Sequence, residues 1–519
     1  MKNVSPNKRF EYKFKEKIIA SKKALKKLYK PALFLIGVQI ITFPIFINYN
    51  RSLVKYALGV NSKTELFGER GYIRTRIKDL SSYFQDIYSA TFNSYPLQRL
   101  HLEIDLKNAS IINCKNNNGT NKCPTRRIAK ANLKTDKQNL KVRLRQKGLR
   151  LLHNTNFKNM SFRINIRGDK KYQGMKEFSI QMPVIRGYDY EIFASRIIRR
   201  EGILAPRHKY VRFYINGEYV GIRHLEESVG TDLIESSGYR YGPIQDLDKA
   251  FGDKFSSSRF STVESKKWNS RDNKIEQDFK TILEIAKTNQ ALFKHYFDLK
   301  KWGKFMAYMD AFQTFHGAQP KSPKFYLNPV KAKVEPIFFD GHFDRWHLNT
   351  RLTDLAYNYH SQKECTSRLL GSNHAVNLCN HMDWIQFLFG DANKINGEFY
   401  LNYINTLAKL TSKNYIETVL LPEWNQLSFY RGSLYKEFWR SDEFYQFGLI
   451  PYIASWNKIE NRLIHIRKDI DTSQKNKPYI IIDKRLERIS LLNQHSRLPQ
   501  VVNFICKGTK STPIILIKD

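Results

Sequence analysis

The sequence is short of the residues that mark unfolded or fibrous chains, with 17 Pro and 25 Gly in 519 residues. Wholesale disorder and collagen-like structure are excluded on that count. Cysteine is scarce as well, at five, and neither CxxC nor HExxH occurs, so the common zinc spacings are absent. Acid is the third shortage: 48 Asp and Glu stand against 87 Lys and Arg, a net charge of +39. Residues 1–30 hold eleven Lys or Arg and two Glu, so most of the excess is spread over the body of the chain. A field of that sign favours nucleic acid, acidic lipid headgroups, acidic glycans or nucleotide phosphates, without choosing among them. What is plentiful is core material: 41% hydrophobic residues, with 34 Phe and 29 Tyr. The length suggests roughly two to four structural units. There is no internal repeat.

After the basic block 1–30, the uncharged stretch Pro31–Asn50 is closed by Arg51. Twenty helical residues reach about 30 Å, the thickness of a bilayer's hydrocarbon core. The expectation is one uncleaved transmembrane anchor; a buried core helix and a long signal-peptide core are the alternatives. The positive-inside rule would then hold 1–30 in the cytosol and place the rest in a periplasmic or extracytoplasmic space. Cys114 with Cys123 and Cys365 with Cys379 bracket short segments, and Cys506 is left over. Two local disulfides suit such a space, and five free thiols are the alternative.

Residues 51–97 read as a helical stalk or packing segment. A strand-rich region follows over 98–250, where Leu100, Leu102, Ile104 and Leu106 alternate and further strands fall at Lys141–Arg145, Ser161–Ile166, Glu177–Gln181 and Tyr210–Ile215. The turn Asn216-Gly217 leads into Tyr219–His224 as a hairpin. Between the strands, Ile192, Phe193, Ile197 and Ile198 make one face of a helix over Tyr190–Gly202. Helical spacing dominates 272–318 and 380–470, within a helix-rich region 251–475, and 476–519 reads as a small β extension with strands near Tyr479–Ile482, Leu498–Val502 and Pro513–Ile517. The fold class is α+β, with the outline of a protein-kinase-like two-lobe fold behind one N-terminal transmembrane helix.

Three local runs are Val142-Arg143-Leu144-Arg145-Gln146-Lys147-Gly148, Lys158-Asn159-Met160-Ser161-Phe162-Arg163, and Gly174-Met175-Lys176-Glu177-Phe178-Ser179-Ile180-Gln181. They are followed by Arg199-Arg200-Glu201-Gly202, by Asn216-Gly217-Glu218-Tyr219-Val220-Gly221-Ile222 with Leu225-Glu226-Glu227, and by Phe325-Tyr326-Leu327-Asn328-Pro329 with Val334-Glu335-Pro336-Ile337-Phe338-Phe339-Asp340-Gly341. In order and spacing these resemble the CotH-type (spore coat protein H) atypical kinase family over roughly residues 140–345.

The resemblance implies transfer of the γ-phosphoryl group of ATP to protein or envelope glycan acceptors, assisted by Mg²⁺ or Mn²⁺. Such chemistry needs cations on the phosphates, an acid to orient them, a carboxylate for the metal and a group to take the acceptor's proton. Lys147, Lys158 and Arg163 are the candidate phosphate cations, and Glu226 or Glu227 the orienting acid, with Glu226 preferred. Asp340 ends an apolar strand beside Gly341 and is the first candidate metal ligand, with Asp344 and Ser322 as further oxygen donors.

The loop His316–Lys324 departs from the family, which carries a His-Asn pair where this chain has Lys321-Ser322. No acid lies in that loop, leaving Asp310 or His316 as the proton acceptor. Two functions follow as expectations: a membrane-anchored kinase, or a catalytically impaired relative that binds nucleotide or an anionic polymer as a structural component of the envelope. A nucleic-acid partner is not expected, because the inferred topology puts the folded region across the membrane.

Overall fold

The computed structural model describes residues 85–92, 97–113, 127–148, 157–247, 255, 258–263, 273–341, 351–358, 365, 379, 382–391, 394–438, 456–475, 479–483, 488–492, 498, 500–502, 505–506, 509–510 and 514–516. The stretch Pro31–Asn50 lies outside them, as do Cys114, Cys123 and Asp344. Among the described residues no helix is long and apolar enough to cross a membrane.

Seven strands form a closed barrel: β1 (Arg99–Glu103), β2 (Ala129–Thr135), β3 (Asn139–Gln146), β4 (Phe162–Ile166), β5 (Glu177–Gln181), β6 (His208–Ile215) and β7 (Glu218–Glu227). Their order is β1-β2-β3-β4-β5-β7-β6, closed by parallel pairing of β6 with β1. Alternation along each strand sends one set of side chains inward, including Leu102, Val142, Leu144, Phe162, Ile164, Phe178, Ile180, Val211, Phe213 and Leu225. The outward set on β1 to β3 is basic and exposed, as in Arg99, Lys130, Lys141 and Arg143. Closure leaves this barrel no free edge, and the strand-rich region expected over 98–250 takes this form. The expected run through Leu106 stops earlier, because Asp105 accepts from Asn108 N and caps α1 (Leu106–Ile112). Strand β2 carries few apolar residues and has no counterpart in the sequence reading.

Strands β5 and β7 differ from the others in being buried on both faces. Their outer faces are covered rather than solvated. The cover begins with α2 (Tyr190–Arg200), whose Ile192, Phe193, Ile197 and Ile198 enter a second and larger core. After α3 (Thr231–Ser236), which packs in a small satellite cluster, that core is built from α4 (Asn273–Ala286), α5 (Gln290–Tyr296), α6 (Leu299–Ala311), α7 (Phe315–Ala318), α8 (Met382–Phe389), α9 (Gly397–Leu410), α10 (Leu421–Gln426), α11 (Ser428–Phe438) and α12 (Trp456–Lys475). Helices α6 and α9 cross closely at Gly303, where a Cβ would come within 2.5 Å of the Phe399 carbonyl oxygen. A four-stranded sheet, β11-β10-β8-β9, uses β8 (Ile244–Leu247), β9 (Phe260–Thr262), β10 (Lys324–Asn328) and β11 (Lys333–Ile337). Beyond α12, Tyr479–Asp483 pairs with Arg488–Leu492, and Gln500–Val502 with Ile514–Leu516.

Cys365 and Cys379, 14 positions apart in sequence, are joined by a disulfide. A loop of that size removes unfolded-state entropy worth about 3 kcal/mol on the chain-entropy model.

One buried ion cluster ties the helix over 85–92 to the rest. Arg431 donates to Asp86 and to Asp189, each at 2.9 Å, and Ser428 completes Asp86 at 2.6 Å. Asp189 immediately precedes α2, so this cluster fixes where that helix starts. Arg431→Ala strands two buried carboxylates and should cost about 3–5 kcal/mol in urea unfolding; a loss below 1 kcal/mol would show that the cluster is not holding α2.

Candidate active site

Strand register assembles the floor of the site. Ser179 on β5, Glu226 on β7 and His208 on β6 stand in one row, and Gln181, His224 and Tyr210 in the next. All six project from the barrel's outer face, since their neighbours Ile180, Leu225 and Val211 fill its interior. The same alternation sends Glu227 to the opposite face, where Arg207 grips it with its backbone N–H and guanidinium at the barrel end.

Glu226 is the hub of the floor. Lys147, just past β3, reaches its Oε2 at 2.5 Å, and Gln181 donates to the same oxygen at 2.5 Å. Burial would raise this carboxyl, but the Arg186 and Lys147 charges outweigh burial and hold it well below its ordinary value. Burial also lowers the Lys147 amine, with Glu226 offsetting part of the shift.

Arg186 closes the assembly from above. It lies on the single turn Pro183–Arg186 between β5 and α2, and its side chain is only 5% exposed. Its guanidinium forks onto both oxygens of Glu191 in the first turn of α2. Its Nη1 donates to Asp340 Oδ1 at 2.6 Å, and Nη2 comes within 3.7 Å of Glu226. Desolvation works against the cation, and Glu191, Glu226 and Asp340 more than compensate, so its pKa is raised.

Asp340 comes from the far side, two residues beyond Phe338 and three beyond the end of β11. Its backbone is left-handed (φ 57°), and the following Gly341 N–H donates to Glu191 Oε1 at 3.0 Å. That turn carries the carboxylate to Arg186 and places its second oxygen 3.2 Å from His316 Nδ1 on α7. Ser322 Oγ lies 3.4 Å from the same ring nitrogen. Lys324 and Lys147 both lie over the face of Phe339, at 4.8 and 5.8 Å. The Asp340 side chain is 27% exposed, the most accessible carboxylate of the group.

Five of the expected residues therefore meet: Lys147, Glu226, His316, Ser322 and Asp340. Lys158 lies elsewhere, in an exposed pair with Glu218 at 2.5 Å. Arg163 turns to Glu177, although its charge is still felt by Lys147. Glu227 belongs to the barrel end. Asp310 is also displaced from its expected role: Arg462, Tyr403 and the Leu352 N–H take its oxygens in a fully buried knot of α6, α9 and α12. A carboxylate so occupied is a structural strut rather than a proton acceptor. Arg186, Glu191, Gln181, His208 and His224 went unread. Gln181 ends a run that carries the family resemblance, but Arg186 and Glu191 sit in no motif, and only folding brings them to Asp340.

Residues 144–374 match the family model described as CotH kinase protein. The chain thus carries a CotH kinase family domain over that stretch, which holds every residue of the cluster above. No curated protein matches the chain.

Because Glu226 is held below its unfolded value, it contributes stability above pH about 4.5, lost as pH falls toward its folded pKa. Lys147→Met removes one cause of that depression. The variant should be less stable than wild type at pH 7, and the deficit should narrow only as pH falls through the variant's own folded Glu226 pKa, because the unfolded value is common to both. Urea titrations at pH 7 that show no deficit would mean that Lys147 does not hold Glu226 in its ionised form.

Proposed function

We propose that the chain is a CotH-like phosphotransferase that moves the γ-phosphoryl group of ATP to protein or envelope glycan acceptors. The observation that carries this reading is the Lys147–Glu226 pair buried on the barrel's outer face beneath Asp340, an oriented cation facing an accessible carboxylate across two packed regions.

The donor set suits a triphosphate. Lys147, Arg186 and Lys324 supply positive charge around Phe339 and Asp340, and Glu226 keeps Lys147 aimed. Asp340 and Ser322 are the oxygen donors that would hold Mg²⁺ or Mn²⁺, and a bound ion would supply charge to offset that of the phosphates. Asp340 Oδ1 is now bonded to Arg186, but Arg186 keeps its fork on Glu191 if that one bond is exchanged. His316, beside Asp340 and Ser322, is the titratable group placed to accept a proton from an acceptor hydroxyl.

The cysteine bridge supports an oxidising compartment, and Pro31–Asn50 supplies the anchor in this reading, with residues 51–519 outside the cytosol.

A second reading is favoured by one specific feature. Both Asp340 oxygens face groups of the chain itself, Arg186 and His316, and the loop 316–324 offers no carboxylate. A nucleotide-binding relative without turnover, serving as a structural protein, fits that arrangement. Full-length protein incubated with labelled ATP and Mg²⁺ or Mn²⁺ distinguishes the two. The phosphotransferase reading expects metal-dependent label on the chain or on an added acceptor, reduced at least a hundredfold in Asp340→Ala. Nucleotide binding with no transfer in wild type would overturn it in favour of the second reading.

A further inference from the structure

Behind the Lys147–Glu226 pair, Glu191, His208 and His224 come together from the first turn of α2, the start of β6 and the middle of β7. Each offers one ligand atom, these atoms lie within 4.8 Å of one another, and all three side chains are buried. We propose that Glu191, His208 and His224 form a three-ligand site for a divalent first-row transition metal of the zinc class, separate from any ion that accompanies nucleotide at Asp340.

Hydrogen-bond accounting is the first argument. The two imidazoles share one bond, His208 Nδ1 to His224 Nε2 at 2.9 Å. Their outer nitrogens, His208 Nε2 and His224 Nδ1, have no hydrogen-bond partner, and neither do Glu226 Oε1 and Gln181 Oε1. The register sets His208 opposite Glu226, and His224 opposite Gln181. A neutral pair without metal leaves one N–H, one bare ring nitrogen and two acceptors unmatched in the buried interior, where an unmatched polar group is destabilising.

A metal on the two facing nitrogens would take their lone pairs and leave each ring's proton on its outer nitrogen. No proton need leave the protein, because the shared proton moves to an outer nitrogen.

Distance agrees for the two rings, and the Glu191 oxygen lies within 4.8 Å of both ligand nitrogens. Nitrogens bound to zinc at about 2.0–2.1 Å in tetrahedral geometry stand roughly 3.4 Å apart, so the rings need part by only about half an ångström. Arg186 holds Glu191 by its fork and fixes the carboxylate's orientation. A two-imidazole donor set disfavours Mg²⁺, which separates this ion chemically from one at Asp340.

The test uses the full chain, stripped with chelator and titrated with Co²⁺ and Zn²⁺. The proposal expects about one Co²⁺ per chain with visible absorption from nitrogen ligation, displaced by Zn²⁺ and untouched by a thousandfold excess of Mg²⁺. It also expects a higher melting temperature with Zn²⁺, absent in the His208→Leu/His224→Phe double variant. Wild type that binds less than 0.1 Co²⁺ per chain, or shows no visible band, overturns it whatever the variant does. So does a folded double variant that binds as wild type does. ATP turnover enters none of these readouts, so a failure here is distinguishable from a failure of the phosphotransferase reading.

Discussion

A single guanidinium sets the relation between barrel and helices. Arg186 is nearly buried, and isolated there it would cost several kcal/mol of lost hydration. It is tolerated because Glu191 from α2, Asp340 from beyond β11 and Glu226 from β7 converge on it. Each carboxylate comes from a different element, so the ion cluster also fixes their mutual positions. Because β5 and β7 are buried on both faces, these polar groups stand in a low-dielectric seam, where their pairing is directional and unpaired members are costly.

This arrangement explains a feature of the charge distribution. The chain has a large positive excess, but it is displayed on the outer strands of the barrel, where Arg99, Lys130, Lys141 and Arg143 are exposed. The seam has the opposite character: carboxylates there outnumber the cations they pair with. A basic exterior draws anions toward the molecule, and Asp340, 27% exposed, is the most accessible carboxylate of the seam.

Much of the fold was legible because its strands obey strict alternation. Leu140, Val142 and Leu144 on β3, or Phe162, Ile164 and Ile166 on β4, declare one buried face, and the Asn216-Gly217 turn declares the hairpin. Barrel closure was not legible, since β6 joins β1 in parallel across more than a hundred residues and no local pattern encodes that pairing. In the site, Lys147, Glu226 and Asp340 were readable from runs with family-like spacing. Arg186 and Glu191 were not, because a buried Arg and a buried Glu look in sequence like ordinary surface charges; only burial and pairing distinguish them. Asp310 illustrates the converse. Its place before the loop 316–324 suggested chemistry, while Arg462 and Tyr403, distant in sequence, consume its lone pairs.

The departure at Lys321-Ser322 takes on a definite physical meaning in this setting. Lys324 is not left facing the seam as a bare repulsive charge, because Asp246 on β8 and the Lys321 carbonyl hold its amine at 2.8 and 3.3 Å. Ser322 is buried beside His316, which in turn meets Asp340. The loop thus exchanges an acid-rich surface for a short relay of hydroxyl, imidazole and carboxylate. Because Asp340 is bonded to Arg186 as well, and Arg186 forks onto Glu191, the position of this loop is tied through one carboxylate to the start of α2. A change at Ser322 or His316 is therefore transmitted to the seam by way of Asp340 and not through the loop backbone alone.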